Sequence, residues 1–397
     1  MSKLEIADCF IKDYVHLLEL KNFCLEHGMR VSENKADLLK QVIEYAGEDE
    51  TSSCYKETYS WFLNVIKAGS KEFCIKRIYV PEESVECLEK IIEEKYSPYH
   101  KKDILSFKSS EKFLLVNYRI EKNKYGVASK VSFVFSRLVL EGDKESERGH
   151  RIVYPVYIDL YLEKGFIVGR YKPKTIIYTC SENDIIYKEN RVKCLDETIG
   201  LIQKLEKYLR AESMDINPEQ RFGAMMYKMY QKYSFTPTDI QTQVDLMKEQ
   251  RDMFVNSVFN TLGLNTINKT KAKMDLDIFL EKFVSINGDR EKIFKEDREA
   301  YLIKISSDDF LQMTRIDTTS TGNRPLQCSE TFFDSKKSIL NTKECKNLNL
   351  CYNRKRGYLG FFTVQFSISK GWGIVKMYYV PEEEDIENVL QTIFENY

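Results

Sequence analysis

The sequence predicts an α+β protein with mainly antiparallel sheets, and three observations carry that expectation. Residues 112–179 hold runs of alternating hydrophobicity: "KFLLVNYRIEK", "SKVSFVFSRLVLEG", "VYPVYIDLYLEKG" and "FIVGRYKPKTIIYT". A period of two marks strands with one buried face, and the short turns between these runs favour antiparallel pairing. Residues 195–262 then switch to the 3.6-residue period of helices, and after 296 alternation returns. The expected organisation is a small helical module at 1–47, an α+β lobe at 55–190, a helical section at 195–265 and a second α+β lobe at 266–397.

Each element has a local cause. Leu17, Leu18, Leu20, Phe23 and Cys24 recur at helical spacing, and Gly28 suits a left-handed helix end. The extended piece "MRVSEN" leads into a second helix, 35–46, with Leu38, Leu39, Val42 and Ile43 as its apolar stripe. "AGEDETSSC" is acidic and turn-rich and reads as a linker. A helix in "ETYSWFLNVIKAG" precedes the strand "FCIKRIYV", and Pro81 with two acids opens a further helix.

Beyond the four strands, Ile199, Ile202, Leu205 and Leu209 mark one helix, and Phe222, Met225, Met226, Met229, Tyr230 and Tyr233 line the next. A long third helix is expected from Thr238 to Leu262. Its apolar positions 240, 244, 247, 254, 258 and 262 favour an intramolecular bundle over a dimeric coiled coil. The strand "AYLIKIS", a polar loop, a helix in "CSETFFDSKKSILN", a hairpin and a helix opened by Pro381 complete the pattern. "KRIYVPEES" and "KMYYVPEEE" share Tyr-Val-Pro-Glu-Glu, which either a generic proline helix start or a duplicated strand–helix unit would produce.

Hydrophobic residues make up 43% and charged residues 30% of the 397, the balance of a folded chain. The net charge of −1 gives no global attraction to nucleic acid or anionic membrane, so such binding needs a local patch. "MSKLEIADCF" carries acids and no long apolar stretch, so no signal peptide is expected, and no run is long enough to span a bilayer. The four histidines, at 16, 27, 100 and 150, stand apart and leave zinc without a ligand set. GxxxxGKS/T, GxGxxG and GxSxG are all missing, so neither a cofactor nor a catalytic residue is expected.

Residues 16–46, "HLLELKNFCLEHGMRVSENKADLLKQVIEYA", resemble the SAP family of helix–extension–helix motifs. The likeness rests on Leu18, Leu20, Lys21 and Phe23 in the first helix and Gly28 at its end, then on Ser32, Asn34, Lys35, Asp37 and Leu38. The resemblance implies DNA contact by the loop and second helix, through basic side chains and backbone amides suited to phosphate. Carried onto this chain, the contacts are Arg30, Asn34, Lys35 and Lys40. The resemblance covers less than a tenth of the sequence, and Glu33 stands where the family usually has glycine. Residues 1–50 hold six basic against eleven acidic side chains, a poor balance for a lone DNA binder, since phosphate neutralisation supplies most non-specific affinity.

A second basic cluster offers support from another direction. Lys336, Lys337, Lys343, Lys346, Arg354, Lys355 and Arg356 interleave with Tyr352, Tyr358, Phe361 and Phe362, a pairing that can hold a backbone and stack bases. A solvated turn before a core strand has the same letters. The stretch "YHKKDILSFKSSEK" is a weaker patch. For a metal-dependent nuclease the leads are Asp159 and Glu163, or Asp308, Asp309 and Asp317; a solvent-facing strand and a turn are the plainer readings. The leading expectation is a non-enzymatic DNA-binding protein within a larger assembly, with a prophage, plasmid or phage-defence setting offered by analogy. The alternatives are a scaffold subunit docking a protein partner through the N-terminal module, and a nuclease-like enzyme built on those acids.

Ten cysteines are scattered through the chain with no CxxC, which predicts unpaired thiols in a reducing cytoplasm and not a disulfide framework. Titration of denatured, unreduced protein with a thiol reagent should therefore report all ten. Any smaller count would reveal a disulfide.

Overall fold

The computed structural model describes residues 4–97, 102–142, 147–264, 268–287, 291–295, 298–309, 314–320, 322–354, 360–379 and 381–397, the side chains of 307–309 and 314–317 excepted. Four helices come first: α1 (Asp8–Asp13), α2 (Leu17–Glu26), α3 (Lys35–Ala46) and α4 (Ser53–Ala68). Strand β1 (Glu72–Tyr79) and helices α5 (Glu82–Glu86) and α6 (Leu88–Lys95) follow. Next are β2 (Leu114–Lys122), β3 (Ala128–Glu141), β4 (His150–Tyr161), β5 (Phe166–Tyr171) and β6 (Ile177–Tyr178), then α7 (Cys194–Leu209) and β7 (Glu212–Ser213). Helices α8 (Pro218–Tyr233), α9 (Thr238–Leu246), α10 (Lys248–Leu262), α11 (Lys269–Ile286) and α12 (Glu291–Lys295) precede β8 (Ala300–Asp309) and β9 (Thr314–Thr319). The remainder is α13 (Glu330–Thr342), β10 (Asn347–Asn353), β11 (Phe361–Ser369), β12 (Trp372–Tyr378) and α14 (Glu383–Asn396). Strand neighbours pair antiparallel within both compact units, as the alternating runs predict, and the fold is α+β.

The first unit joins Met1–Pro218 with Ser369–Glu395. Its strands run in the order β2-β3-β4-β5-β1-β12. One face carries α6 and α7, whose Leu88, Ile92, Ile202 and Leu205 pack on Phe133, Ile158 and Ile167. At Gly169 of β5 a Cβ would fall 2.5 Å from Thr198 Cγ2 and 2.9 Å from Ile202 Cδ1, so glycine is what lets α7 approach. The N-terminal helices contribute Leu20, Phe23, Leu38, Val42, Phe62 and Ile66 to one core with Val116 of β2 and Tyr157 of β4. The strands that precede the two Tyr-Val-Pro-Glu-Glu segments are neighbours: β1 pairs with β12, Glu72 opposite Lys376 and Ile75 opposite Gly373, and the antiparallel pairing sends the chain on from the two strands at opposite ends. The helix after the first segment breaks at Cys87, where a continuous one was expected.

Arg170 of β5 has no exposed surface. Its Nη1 and Nη2 donate to the two carboxylate oxygens of Glu383 in α14, at 3.0 and 2.6 Å. Nη2 also donates to the Lys67 carbonyl near the end of α4, at 3.0 Å. The guanidinium lies 5.2 Å from the centre of the Phe73 ring on β1.

The second unit joins Glu219–Lys355 with Gly360–Ile368 and Asn396–Tyr397, and its strand order is β11-β10-β8-β9. Arg298, 8% exposed, donates to the carbonyls of Tyr233 and Phe235 and lies 3.9 Å over the Phe235 ring, fixing the chain where α8 ends. Several expectations are corrected here. The long third helix breaks at Met247 (φ −91, ψ 4), which shifts the phase of α10 against α9. Ile240 and Val244 are buried, while Met247, Phe254 and Leu262 of the same expected stripe are exposed. Helix α11 fills a stretch for which no element was expected. The polar letters around Asp308, Asp309 and Asp317 form a strand pair in place of a loop, Ser306 opposite Asp317 and Asp308 opposite Arg315. The β-branched Thr314, Ile316, Thr318 and Thr319 favour that outcome.

The Arg170–Glu383 pair gives a stability prediction. Glu383→Leu should cost about 3–5 kcal/mol in urea unfolding, because it strands a buried guanidinium, and adding Arg170→Met should recover most of the loss. Burial alone would raise the Glu383 carboxyl, but the charge and hydrogen bonds of Arg170, with Lys67 behind it, pull it down to about 2 from 4.5. A carboxyl lowered by folding binds fewer protons in the native state, so its stabilisation is intact above 4.5 and fades as the pH falls towards 2. Wild type should therefore lose more stability over that interval than the double variant; equal losses would contradict the pairing.

Candidate nucleic-acid interface

Residues 17–46 form a helix, an extension and a second helix, and local chemistry accounts for each joint. The Glu19 carboxylate accepts the His16 backbone N–H at 2.6 Å and caps α2. Gly28 takes the left-handed φ of 66° that ends the helix. Asn34 Oδ1 accepts from the Ala36 N–H at 2.9 Å and starts α3. Phe23 stacks on His27 with ring centres 4.1 Å apart, and His27 Nε2 reaches Glu57 of α4 at 3.1 Å.

The four side chains singled out by the SAP resemblance have separate fates. Arg30 and Lys40 are exposed, Lys40 with a 3.7 Å pairing to Glu44 one turn on. Asn34 is exposed but engaged as the cap of α3. Lys35 turns inward and donates to the Ile11 carbonyl at 2.7 Å. Lys21 is buried and bonds Glu33 at 2.6 Å, so the acid at the family's glycine position answers a lysine of the same helix pair.

What the sequence did not reveal is the company Lys35 keeps. Lys71, just before β1, donates to the Tyr379 carbonyl and lies 3.4 Å from His16 Nε2. Lys172, just after β5, donates to the Asp13 carbonyl and sits 4.9 Å over the Tyr14 ring. All three amines act on His16 and Glu19. Burial, with Lys71, Lys172 and Lys35 adding to it, lowers the His16 imidazole to about 4. Burial lifts the Glu19 carboxyl to about 7, against the His16 hydrogen bond and the three amines. Burial, then the neighbouring Lys71, lowers the Lys172 amine to about 8, and burial lowers Lys35 and Lys71 as well. A lone lysine in the sequence carries no sign of this; the only signal was the position of Lys71 and Lys172 at strand ends.

In the second basic cluster, Lys336 pairs with Glu281 and Lys337 with Asp275 at 2.6 Å. Tyr352 and Phe362 are buried, and the Arg354 guanidinium lies 5.3 Å from the Phe362 ring centre. Lys355, Arg356 and Tyr358 lie outside the described residues. Asp159 proves to be 1% exposed and accepts from Ser132 Oγ, whereas Glu163 sits beyond the end of β4, exposed and bonded to Asn123. The strand ends at Tyr161, so the two carboxylates do not converge. A groove of about 560 Å³ beside α4 is lined by Glu5, Glu50 and Asp103 as well as Lys56, an acidic setting for a phosphate. Among the described residues no group of three or more His, Cys, Asp and Glu side chains is arranged to hold a metal ion, and no helix is long and apolar enough to cross a membrane. No protein-family model matches the chain, and neither does any curated protein.

Proposed function

We propose that this protein binds nucleic acid without catalysing a reaction, through phosphate contacts made by the α2–α3 helix pair, as one part of a larger assembly. The observation that carries the reading is the helix–extension–helix geometry of residues 17–46, which leaves Arg30 and Lys40 on its exposed side. The start of α3 adds backbone N–H groups to the same end of the pair, a setting suited to phosphate oxygens. The exposed Lys40–Glu44 pair is a weak competitor, because surface ion pairs contribute little.

A second reading, an interaction subunit, is favoured by one observation. Met253 and Phe254 of α10 and Phe279 and Phe283 of α11 are 58–63% exposed, an unusual number of large apolar side chains left to solvent on two neighbouring helices, and exposed apolar surface marks protein interfaces. On this reading the docking surface would lie on α10 and α11, an alternative to docking through the N-terminal helices.

Replacing Arg30 and Lys40 with glutamate separates the two. Surface changes of this kind stay within about 0.5 kcal/mol each, so the fold should survive. On the nucleic-acid reading, the double variant loses affinity evenly across sequences and flattens the slope of log K against log salt by about two. An unchanged affinity and slope in fluorescence anisotropy would remove the helix pair as the contact surface.

A further inference from the structure

We propose that Lys35, Lys71 and Lys172 form a binding site for a phosphate group at the turn between α1 and α2. The β1–β5 register sets two of the three. Glu72 pairs with Tyr171 at the end of the ladder, and Lys71 and Lys172 are the next residues out, which brings two like charges to the same end of the strand pair, where Lys71 acts on Lys172. Like charges close together on neighbouring strands repel and weaken a sheet, so the arrangement calls for a compensating anion. Lys35 joins them from the first turn of α3.

The protein supplies only part of that anion: Glu19 acts on all three amines and Asp13 on Lys35 and Lys172, but through space and not in ion-pair contact. Among the described residues, none of the three amines makes an ion pair with a carboxylate. The Asp13 carboxylate belongs to Lys174, at 2.6 Å, and the Glu19 carboxylate is held by the His16 N–H at 2.6 Å. Each lysine is anchored by a main-chain carbonyl, of Ile11, Tyr379 or Asp13, and an ammonium with three donors has more to offer a ligand. The anchors hold the amines in place beforehand, so little side-chain entropy is lost on binding. A phosphate brings negative charge and several acceptor oxygens, the complement of converging ammonium groups.

The site shares no residue with the exposed pair Arg30 and Lys40, so it stands or falls apart from the reading above. A phosphate could arrive at the end of a nucleic acid strand or as a free phosphate compound, and the test has an arm for each. In the first arm, the melting temperature of the full-length protein is measured in inorganic phosphate and in chloride at equal ionic strength. Wild type should gain stability in phosphate, Lys71→Met and Lys172→Met should each lose that gain, and Lys71→Arg should keep it. Comparing every variant with itself in chloride removes any intrinsic destabilisation. In the second arm, binding of oligonucleotides with and without a 5′-phosphate is compared. A preference of about tenfold for the phosphorylated end, abolished in Lys172→Met, identifies a strand terminus as the source. Equal binding of the two, with the phosphate gain intact, identifies a free phosphate compound. No phosphate-specific gain in wild type, or the same gain in both methionine variants, would overturn the site.

Discussion

The charge of Arg170 is the constraint on which the first unit depends. A guanidinium with no exposed surface is tolerable only if its charge and donors are met within the protein. Glu383 at the start of α14 meets the charge, and the Lys67 carbonyl in α4 takes a further donor. One side chain of β5 therefore fixes where a helix from each end of this unit must lie. Lys67 lies 3.3 Å from Glu383 as well, so the same carboxylate answers two cations. Around this centre the polar network is not saturated: Asp159 Oδ2, Arg170 Nε and Tyr157 OH are buried without a hydrogen-bond partner.

The register that holds Arg170 opposite Phe73 ends at Glu72 opposite Tyr171, so Lys71 and Lys172 leave the strand pair at the same end. Stability and the candidate anion site thus come from one strand pair, the first through a paired charge and the second through amines that make no ion-pair contact among the described residues. The N-terminal helices cannot be treated apart from this, because Leu38 and Val42 of α3 share a core with Val116 and Tyr157 of the sheet. Lys35 faces inward for the same reason. It sits on the turn of α3 that meets α1, where the Ile11 carbonyl is in reach.

Much of the fold was legible in local letters. Alternation marked β2 to β5, Gly28 marked the end of α2, and Pro81 and Pro381 announced helices. Where the reading failed, the deciding partner was distant in sequence or the letters were polar. Threonines and aspartates around 308–319 look like a loop until β8 and β9 pair. Asp159 looks solvent-facing because nothing nearby in sequence tells that Ser132 lies opposite on β3. The apolar stripe of 240–262 looks continuous until the break at Met247 turns Phe254 outward. Of the candidate site, the helix pair was readable from its apolar stripes and Gly28. The inward turn of Lys35 and the approach of Lys71 and Lys172 were not, because sheet register and tertiary packing decide both.

The central claim is that this chain recognises phosphate in nucleic acid by charge, despite its acidic N-terminal composition. Binding of the intact wild-type protein to duplex DNA, single-stranded DNA and RNA, followed across salt concentration, tests it most directly. The account predicts measurable affinity for at least one of the three near physiological ionic strength, with log K falling linearly as log salt rises. The absence of salt-dependent binding to all three would contradict it and leave the interaction-subunit reading in its place.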